Sequence, residues 1–314
     1  MTRWGARAGP PLLLMLGALP FAFPSGFVLT TATLLLLTAI LGQSWNILGG
    51  YGGQSSFGHA LFYGTGAFTT ALLQVRFGWN AWVAAAAAIG AGTLVGAAAG
   101  ALVFRQGLRG SYFALVTLAF AEIARVLVAS FDITGGGFGL LVPLHRGAAS
   151  FQFSDPRLPY WIAWTVVLAG VLLTIGIERS RFGARLAAVR ENEDAARALG
   201  IAPVQVKTVC TAISAGLAAT AGVLYLQIFL FIDAANGFGV GVSVQALLAP
   251  ILGGLATPWG ALLGALALRL MAEMVHAVAG GLAGIDLALF GVILILILRF
   301  APGGIAGIRL RRDA

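Results

Sequence analysis

The stretch AGPPLLLMLGALPFAFPSGFVLTTATLLLLTAILGQSWNILGGYGGQSSFGHALFYGTGAFTTALLQV, residues 8–75, contains no Asp, Glu, Lys or Arg across 68 positions. A soluble domain cannot cover its surface with so little charge, and one spanning helix needs only about 20 apolar residues. The pattern returns at Phe77–Phe104, Leu158–Ile177, Thr208–Ile232 and Ala234–Leu268. Over all 314 residues, 59% are hydrophobic, 44 are glycine and 10% are charged. Typical soluble domains are about 25% charged, so an ordinary globular protein is excluded. Disorder requires low hydrophobicity and is excluded for the opposite reason. The fold class is all-α: a polytopic α-helical membrane protein, with residues 1–314 forming a single transmembrane domain.

Cutting the chain at charges and Gly/Pro clusters predicts about ten membrane segments. They lie near residues 10–24, 27–48, 57–75, 79–104, 111–129, 158–177, 207–231, 243–256, 258–276 and 285–298. The first, eighth and tenth are short for a full crossing. Such segments are tolerated where protein, rather than lipid, surrounds the backbone. Arg3 and Arg7 precede the first segment, Pro20 and Pro24 interrupt it, and no small-x-small site follows. It therefore reads as a span and not as a cleaved signal peptide.

With the N-terminus inside, the cytoplasmic pieces carry 14 Lys/Arg and the external pieces three, Arg76, Arg146 and Arg157. Arg125 and Arg269 fall within spans. This bias places both termini in the cytoplasm, and Trp79, Trp82, Trp161 and Trp164 then mark outer ends of spans. Two polar segments remain. The external loop 130–157 holds Gly135, Gly136, Gly137 and Gly139, and the internal segment 178–206 is the only charge-dense stretch. Gly92, Gly96 and Gly100 share one helix face and should admit a close neighbouring helix.

Soluble chemistry finds little support. The net charge of +8 reads as topogenic arginine in contact with membrane lipid, not as a nucleic-acid surface. A single cysteine, Cys210, excludes an internal disulfide, and His59, His145 and His276 lack metal-ligand spacing. No Gly-x-Ser-x-Gly, His-Glu-x-x-His or cofactor motif is present. The sole lysine, Lys207, follows Val206, so no Gly-Lys-Ser/Thr phosphate loop exists and any ATP hydrolysis belongs to partners. The chain reads as a transport subunit, not an enzyme.

Four constellations remain. Asn46–His59 places five glycines and several amides and hydroxyls between apolar segments; a tight cytoplasmic turn and a re-entrant polar lining both fit it. Glu122 and Arg125, spaced i,i+3, can pair, either to lock helices or along a solute path. Arg269 and Glu273, spaced i,i+4, are read the same way. Asn46, Gln54, Ser55, His59, Tyr112, Thr117 and Glu122 are the candidate translocation path, since unpaired buried polar groups cost about 1–3 kcal/mol. Finally, Arg190–Ile201 is predicted as a short amphipathic helix. Its acids are early, Gly200 suits the C′ position, and Ala188, Ala195 and Leu199 share one face. A docking helix for a soluble partner is preferred over a solvated loop.

These stretches together resemble the LivM-type permeases of bacterial branched-chain amino-acid ABC importers. The resemblance runs from about Leu41 to Pro302 through Gly49–His59, Leu108–Arg125, Thr134–Leu140, Phe182–Ile201, and Ser243–Gly260 with Gly253, Gly254 and Pro258. Asp194-Ala195-Ala196-Arg197-Ala198-Leu199-Gly200 is similar to the Glu-Ala-Ala-x-x-x-Gly half of the importers' coupling motif, and the later Ile-x-Leu-Pro half is absent. The resemblance implies an ABC importer permease-like fold in the bacterial inner membrane. It also implies a second homologous permease subunit, two cytoplasmic ATP-binding subunits and an external solute-binding protein. Arg190, Glu193, Asp194, Ala195, Ala196, Leu199 and Gly200 are then the ATPase-coupling candidates. A urea or small-amide permease, and a stand-alone secondary transporter or channel using Glu122, are the alternatives.

Overall fold

In the computed structural model, which describes residues 3–23, 25–279, 291–292 and 305, a helix built mainly of small residues runs through the centre. Twelve α-helices follow in chain order among the described residues. They are α1 (Arg3–Ala22), α2 (Gly26–Trp45), α3 (His59–Val75), α4 (Ala81–Arg105), α5 (Ser111–Ser130), α6 (Arg157–Arg179), α7 (Arg181–Glu191), α8 (Glu193–Ala198), α9 (Pro203–Phe229), α10 (Ala234–Phe238), α11 (Val240–Gly253) and α12 (Gly260–Ala279). Two strands, β1 (Leu140–Leu141) and β2 (Phe231–Ile232), pair antiparallel with Leu140 opposite Ile232.

The central helix is α9. Its Ala215, Ala218, Ala219 and Ala221 are fully buried, and it packs on α2, α3 and α4. The predicted glycine stripe of α4 faces it. A Cβ at Gly92 would lie 2.4 Å from the Ala219 Cβ, and one at Gly96 only 2.2 Å from the Ala215 Cβ. Small residues on both sides bring the backbones close, where dispersion holds helices that gain nothing from burying apolar surface out of lipid.

Among the described residues, six helical stretches are long and apolar enough to cross a membrane: Gly26–Tyr51, Ala81–Arg105, Ser111–Ser130, Arg157–Arg179, Pro203–Phe229 and Ala234–Gly253. The expected count of about ten is not confirmed among the described residues. The apolar part of α1, Gly9–Ala22, covers about 21 Å at 1.5 Å per residue, and the 17 residues of α3 about 26 Å, both under the ~30 Å hydrocarbon core. α1 instead lies on α6, where the Tyr160 hydroxyl donates to Leu16 O and Trp164 Nε1 donates to Leu13 O at 3.0 Å. The eighth segment, extended back to Ala234, is one of these six, and at Gly253 it doubles back into the ninth, α12, so tightly that a Cβ on Gly264 would sit 1.6 Å from Ala249 O. The tenth, 285–298, lies outside the described residues except at 291–292, and the basic C-terminal tail lies outside them as well.

Loop 130–157 is ordered by β1, by three short 3₁₀ turns and by Trp82, which stacks on Phe151 at 4.0 Å and donates from Nε1 to Ala148 O at 2.7 Å.

Candidate coupling surface and transport core

Segment 178–206 leaves α6 through Ser180, whose hydroxyl accepts from Gly183 N at 3.1 Å and caps α7. α7 is amphipathic: Leu186 and Val189 are buried, while Arg181 and Arg185 are exposed. The single helix expected from Arg190 to Ile201 is in fact broken at Asn192. There the backbone turns extended (φ −156°, ψ 109°), and Oδ1 accepts from the amides of Asp194 and Ala195, both at 3.0 Å. Asn competes with the helix for its own backbone and serves better as an N-cap than in an interior. Glu193 and Asp194 therefore fall in the first turn of α8, at its positive end.

The end of α8 is closed by Gly200 at φ +79°, with Ile201 N donating to Ala196 O and Gly200 N to Arg197 O, each at 3.0 Å. This is a Schellman motif, which a residue with a Cβ enters only at a cost.

The α7–α8 pair sits on one end of the bundle. Ala196 is 2% exposed and shares a cluster with Ile47, Leu48, Phe104, Ile177, Leu186 and Val206. Ala195, Ala198 and Leu199 point the other way, and Leu199 is 79% exposed. Of the candidate coupling residues, Ala195 and Leu199 thus present an outward apolar face, while Ala196 is an anchor.

Charges hold the pair in place. The Glu193 carboxylate pairs with Arg109 Nη2 at 3.0 Å and with the ammonium of Lys207. Lys207 is 3% exposed and lies 5.2 Å from the centre of the Phe104 ring. Arg190 donates from Nη1 to Gly50 O at 3.2 Å and covers Gly53. Three links therefore tie α7–α8 to the start of α9, to the turn before α5 and to the glycine-rich segment after α2. Sequence reading overlooked Arg109 and Lys207; the signal was available, since a lone lysine at the head of an apolar run needs a buried anion.

The glycine-rich segment begins as a π-helical turn, Asn46–Tyr51, a form that recurs at functional sites. Asn46 is buried and spans to the α11–α12 turn: Oδ1 accepts from Ala256 N at 2.9 Å and Nδ2 donates to Thr257 O at 2.8 Å. Trp45 Nε1 donates to Ser56 O at 2.7 Å and draws the segment back. His59 is buried, its Nε2 3.0 Å from Ser214 Oγ. The Ser214 hydroxyl donates to Ser44 O at 2.6 Å, so it is left to accept from His59. Thr117 Oγ1 accepts from Phe57 N at 3.2 Å and donates to Ala114 O at 2.8 Å. Gln54 is half-buried and bonds to Gly52 O at 3.3 Å, and Ser55 is exposed. Tyr112 is 71% exposed. Glu122 takes two bonds from Arg125 Nε, at 3.0 and 2.9 Å, and one from Nη2 at 2.5 Å, on the outer side of α5.

Asn46, His59 and Thr117 thus converge on packing around the glycine-rich segment, and the other four do not join them. None of the seven lines a cavity of 390 Å³ that lies between α2, α3, α9, α10, α11 and α12. Its polar lining is Thr38, Tyr63, Tyr225, Asn236, Gln245 and Arg269. Each is an isolated polar residue in an apolar run, the same signal that singled out Thr117. What places them together is the packing of helices distant in sequence.

Comparison with known proteins agrees with this architecture. The family described as branched-chain amino acid transport system, permease component, matches residues 27–298. The chain is 31% identical over 293 residues to the high-affinity branched-chain amino acid transport system permease protein LivM of Salmonella typhimurium, covering 84% of this chain and 67% of that one. LivM of Escherichia coli K12 matches with the same identity and coverage. A probable branched-chain amino acid transport permease protein LivM of Methanocaldococcus jannaschii is 27% identical over 315 residues, 85% of this chain and 89% of that one. The chain spans about two thirds of the length of the two bacterial relatives. No solved structure matches it. With helices of spanning length and a family match over most of its residues, this multi-pass membrane transport subunit belongs to the family of branched-chain amino acid transport system permease components.

Proposed function

We propose that the chain is one permease subunit of a heteromeric importer that moves branched-chain amino acids into the bacterial cell across the inner membrane. A second homologous permease completes the pathway, two cytoplasmic ATP-binding subunits drive it, and an external solute-binding protein supplies the solute. Both termini face the cytoplasm, as the arginine bias favours. The solute class comes from the relatives, which are named as branched-chain amino acid permeases.

The observation that carries the coupling assignment is the two-faced α7–α8 pair. One face is locked to the bundle through Glu193, Lys207, Arg109 and Arg190, and the other presents Ala195, Ala198 and Leu199 without cover. A partner that pushes on this face moves the ends of α5 and α9 with it. Glu122, which a solitary ion-coupled carrier would need free, is bound by Arg125, and this also favours an external motor.

The test is uptake of radiolabelled leucine, valine and isoleucine by proteoliposomes holding both permeases and both ATPases, with the binding protein outside. Uptake that needs all the components and ATP supports the proposal. Uptake by the permease alone, driven by an ion gradient, refutes it.

A further inference from the structure

Along α5, Leu115, Ala119, Glu122, Ile123 and Val126 form one stripe at helical spacing, and that stripe faces away from the bundle. Of the six spanning stretches, Ser111–Ser130 is the least covered by the rest of the chain. The apolar members of the stripe suit lipid, and Glu122 does not. At 1.5 Å per residue it lies about 16 Å along a helix about 30 Å long, near the middle of the bilayer, with Arg125 one turn further on. Their side chains are 45% and 37% exposed. Ionisable groups at this depth face protein or water, since hydrocarbon offers them neither counter-charge nor hydrogen bonds. Pairing with each other does not meet the need. Arginine has five N–H donors; Nε and Nη2 of Arg125 bond to Glu122, and Nη1 has no partner among the described residues.

The exposed faces of α4 and α6 differ. No charged residue occurs from Ala81 to Phe104 or from Leu158 to Ile177. Leu94 and Leu172 stand exposed on those helices, as lipid contact requires. Beside α5 the polar groups continue. α10 packs on α5, and α11 packs on both α5 and α12. Asn236 of α10 and Gln245 of α11 are exposed. Near the middle of α12, Arg269 pairs with Glu273 at 2.7 Å, and both side chains are partly exposed.

We infer that the α5 stripe is the surface on which the second, homologous permease packs within the membrane, with the Glu122–Arg125 pair inside the contact. The pair dictates the occupant: it lies at bilayer depth, it is protein, and it supplies acceptors to Arg125. A homologous subunit related by an approximate two-fold axis meets this chain with its own matching face, and so brings polar groups at the same depth. Ala119, small and central in the stripe, lets a helix of that subunit approach closely. The choice of partner rests on the proposed pairing of two permeases; that the stripe is covered rests on the geometry alone.

For the experiment the two permeases carry different tags and are co-expressed and purified together. A photo-reactive benzoylphenylalanine replaces Ile123 of this chain, or Leu94 or Leu172 as controls. Ile123 should cross-link to the second permease, and the controls should not. Ala119→Trp adds bulk at an exposed position, so the chain's own packing is spared. It should cut the amount of second permease recovered at least ten-fold, and Leu94→Trp less than two-fold. Ile123→Cys should stay unlabelled by a charged thiol reagent in the assembled complex, with the chain's own buried Cys210 as a silent background.

No cross-link from Ile123 in a complex that still co-purifies overturns the surface and leaves the paired reading standing. A cross-link from Ile123 confined to this chain, or prompt labelling of Ile123→Cys, also overturns it, since the stripe then meets the chain's own segments or water. Parental recovery with Ala119→Trp does the same. If the unmodified chain recovers no second permease at all, the paired reading itself fails, and the choice of partner with it.

Discussion

Two substitutions three residues apart, one in α8 and one at its C-cap, should have opposite consequences. Leu199 is 79% exposed. Relative to alanine it carries three more carbons, worth about 0.8 kcal/mol each when buried. Four fifths of that gain is still available to a partner, about 1.9 kcal/mol, or roughly 25-fold in affinity. Leu199→Ala should therefore weaken ATPase binding about 25-fold while shifting the permease's own stability by no more than about 0.5 kcal/mol. Ala196 is 2% exposed against Leu186, Val189 and Phe104. Ala196→Leu overpacks that contact and should lower stability by about 1–3 kcal/mol. The assay is a titration of the detergent-solubilised permease with purified ATPase, beside thermal unfolding of each variant. If Leu199→Ala binds within two-fold of the parent, this face is not where the ATPase docks and the coupling assignment is wrong.

Other expectations follow from the packing. Gly96→Ala forces a Cβ to 2.2 Å from the Ala215 Cβ, whereas Gly90 has nothing within 4 Å. Gly96→Ala should cost about 1–3 kcal/mol in thermal unfolding, and Gly90→Ala should be neutral or mildly stabilising; equal effects would contradict the α4–α9 contact. Glu193→Ala leaves Lys207 buried without its carboxylate and should cost about 3–5 kcal/mol, while Glu193→Met with Lys207→Met should recover most of that. A double-mutant cycle by chemical unfolding measures this, and strict additivity of the two single changes would exclude the pair. Asn46→Leu strands Ala256 N and Thr257 O and should cost about 1–3 kcal/mol for each group left unpaired, read as faster proteolysis of the α11–α12 turn; an unchanged rate would deny Asn46 that role.

Local features were legible where the chemistry is local. Gly200 could be assigned to a helix terminus because only a few neighbouring backbone groups decide that conformation, and its φ of +79° is set there. The Gly92, Gly96 and Gly100 stripe announced a close helix contact, but not that its partner is α9. The break at Asn192 was missed although Asn is a strong cap, because helical spacing of Ala188, Ala195 and Leu199 runs unbroken through it. Tyr112 and Thr117 read alike as polar residues in one apolar run, yet one is 71% exposed and the other buried under Phe57. Helix phase relative to neighbours separates them, and one segment's sequence does not contain it.

The sequence by itself determined that this is a helical membrane protein, where its charged loops lie, and which family it belongs to. Those follow from composition, run length and ordered motifs, which need no knowledge of which helix touches which. Tertiary packing decided the rest. Apolar runs in lipid are interchangeable as solvent partners, so no hydrophobic pattern says that α9 is central, that α1 lies along α6, or that α11 folds back on α12. Close approach of small residues chose those contacts. The same packing gathered Thr38, Tyr63, Gln245 and Arg269 around one cavity, from positions that are far apart along the chain.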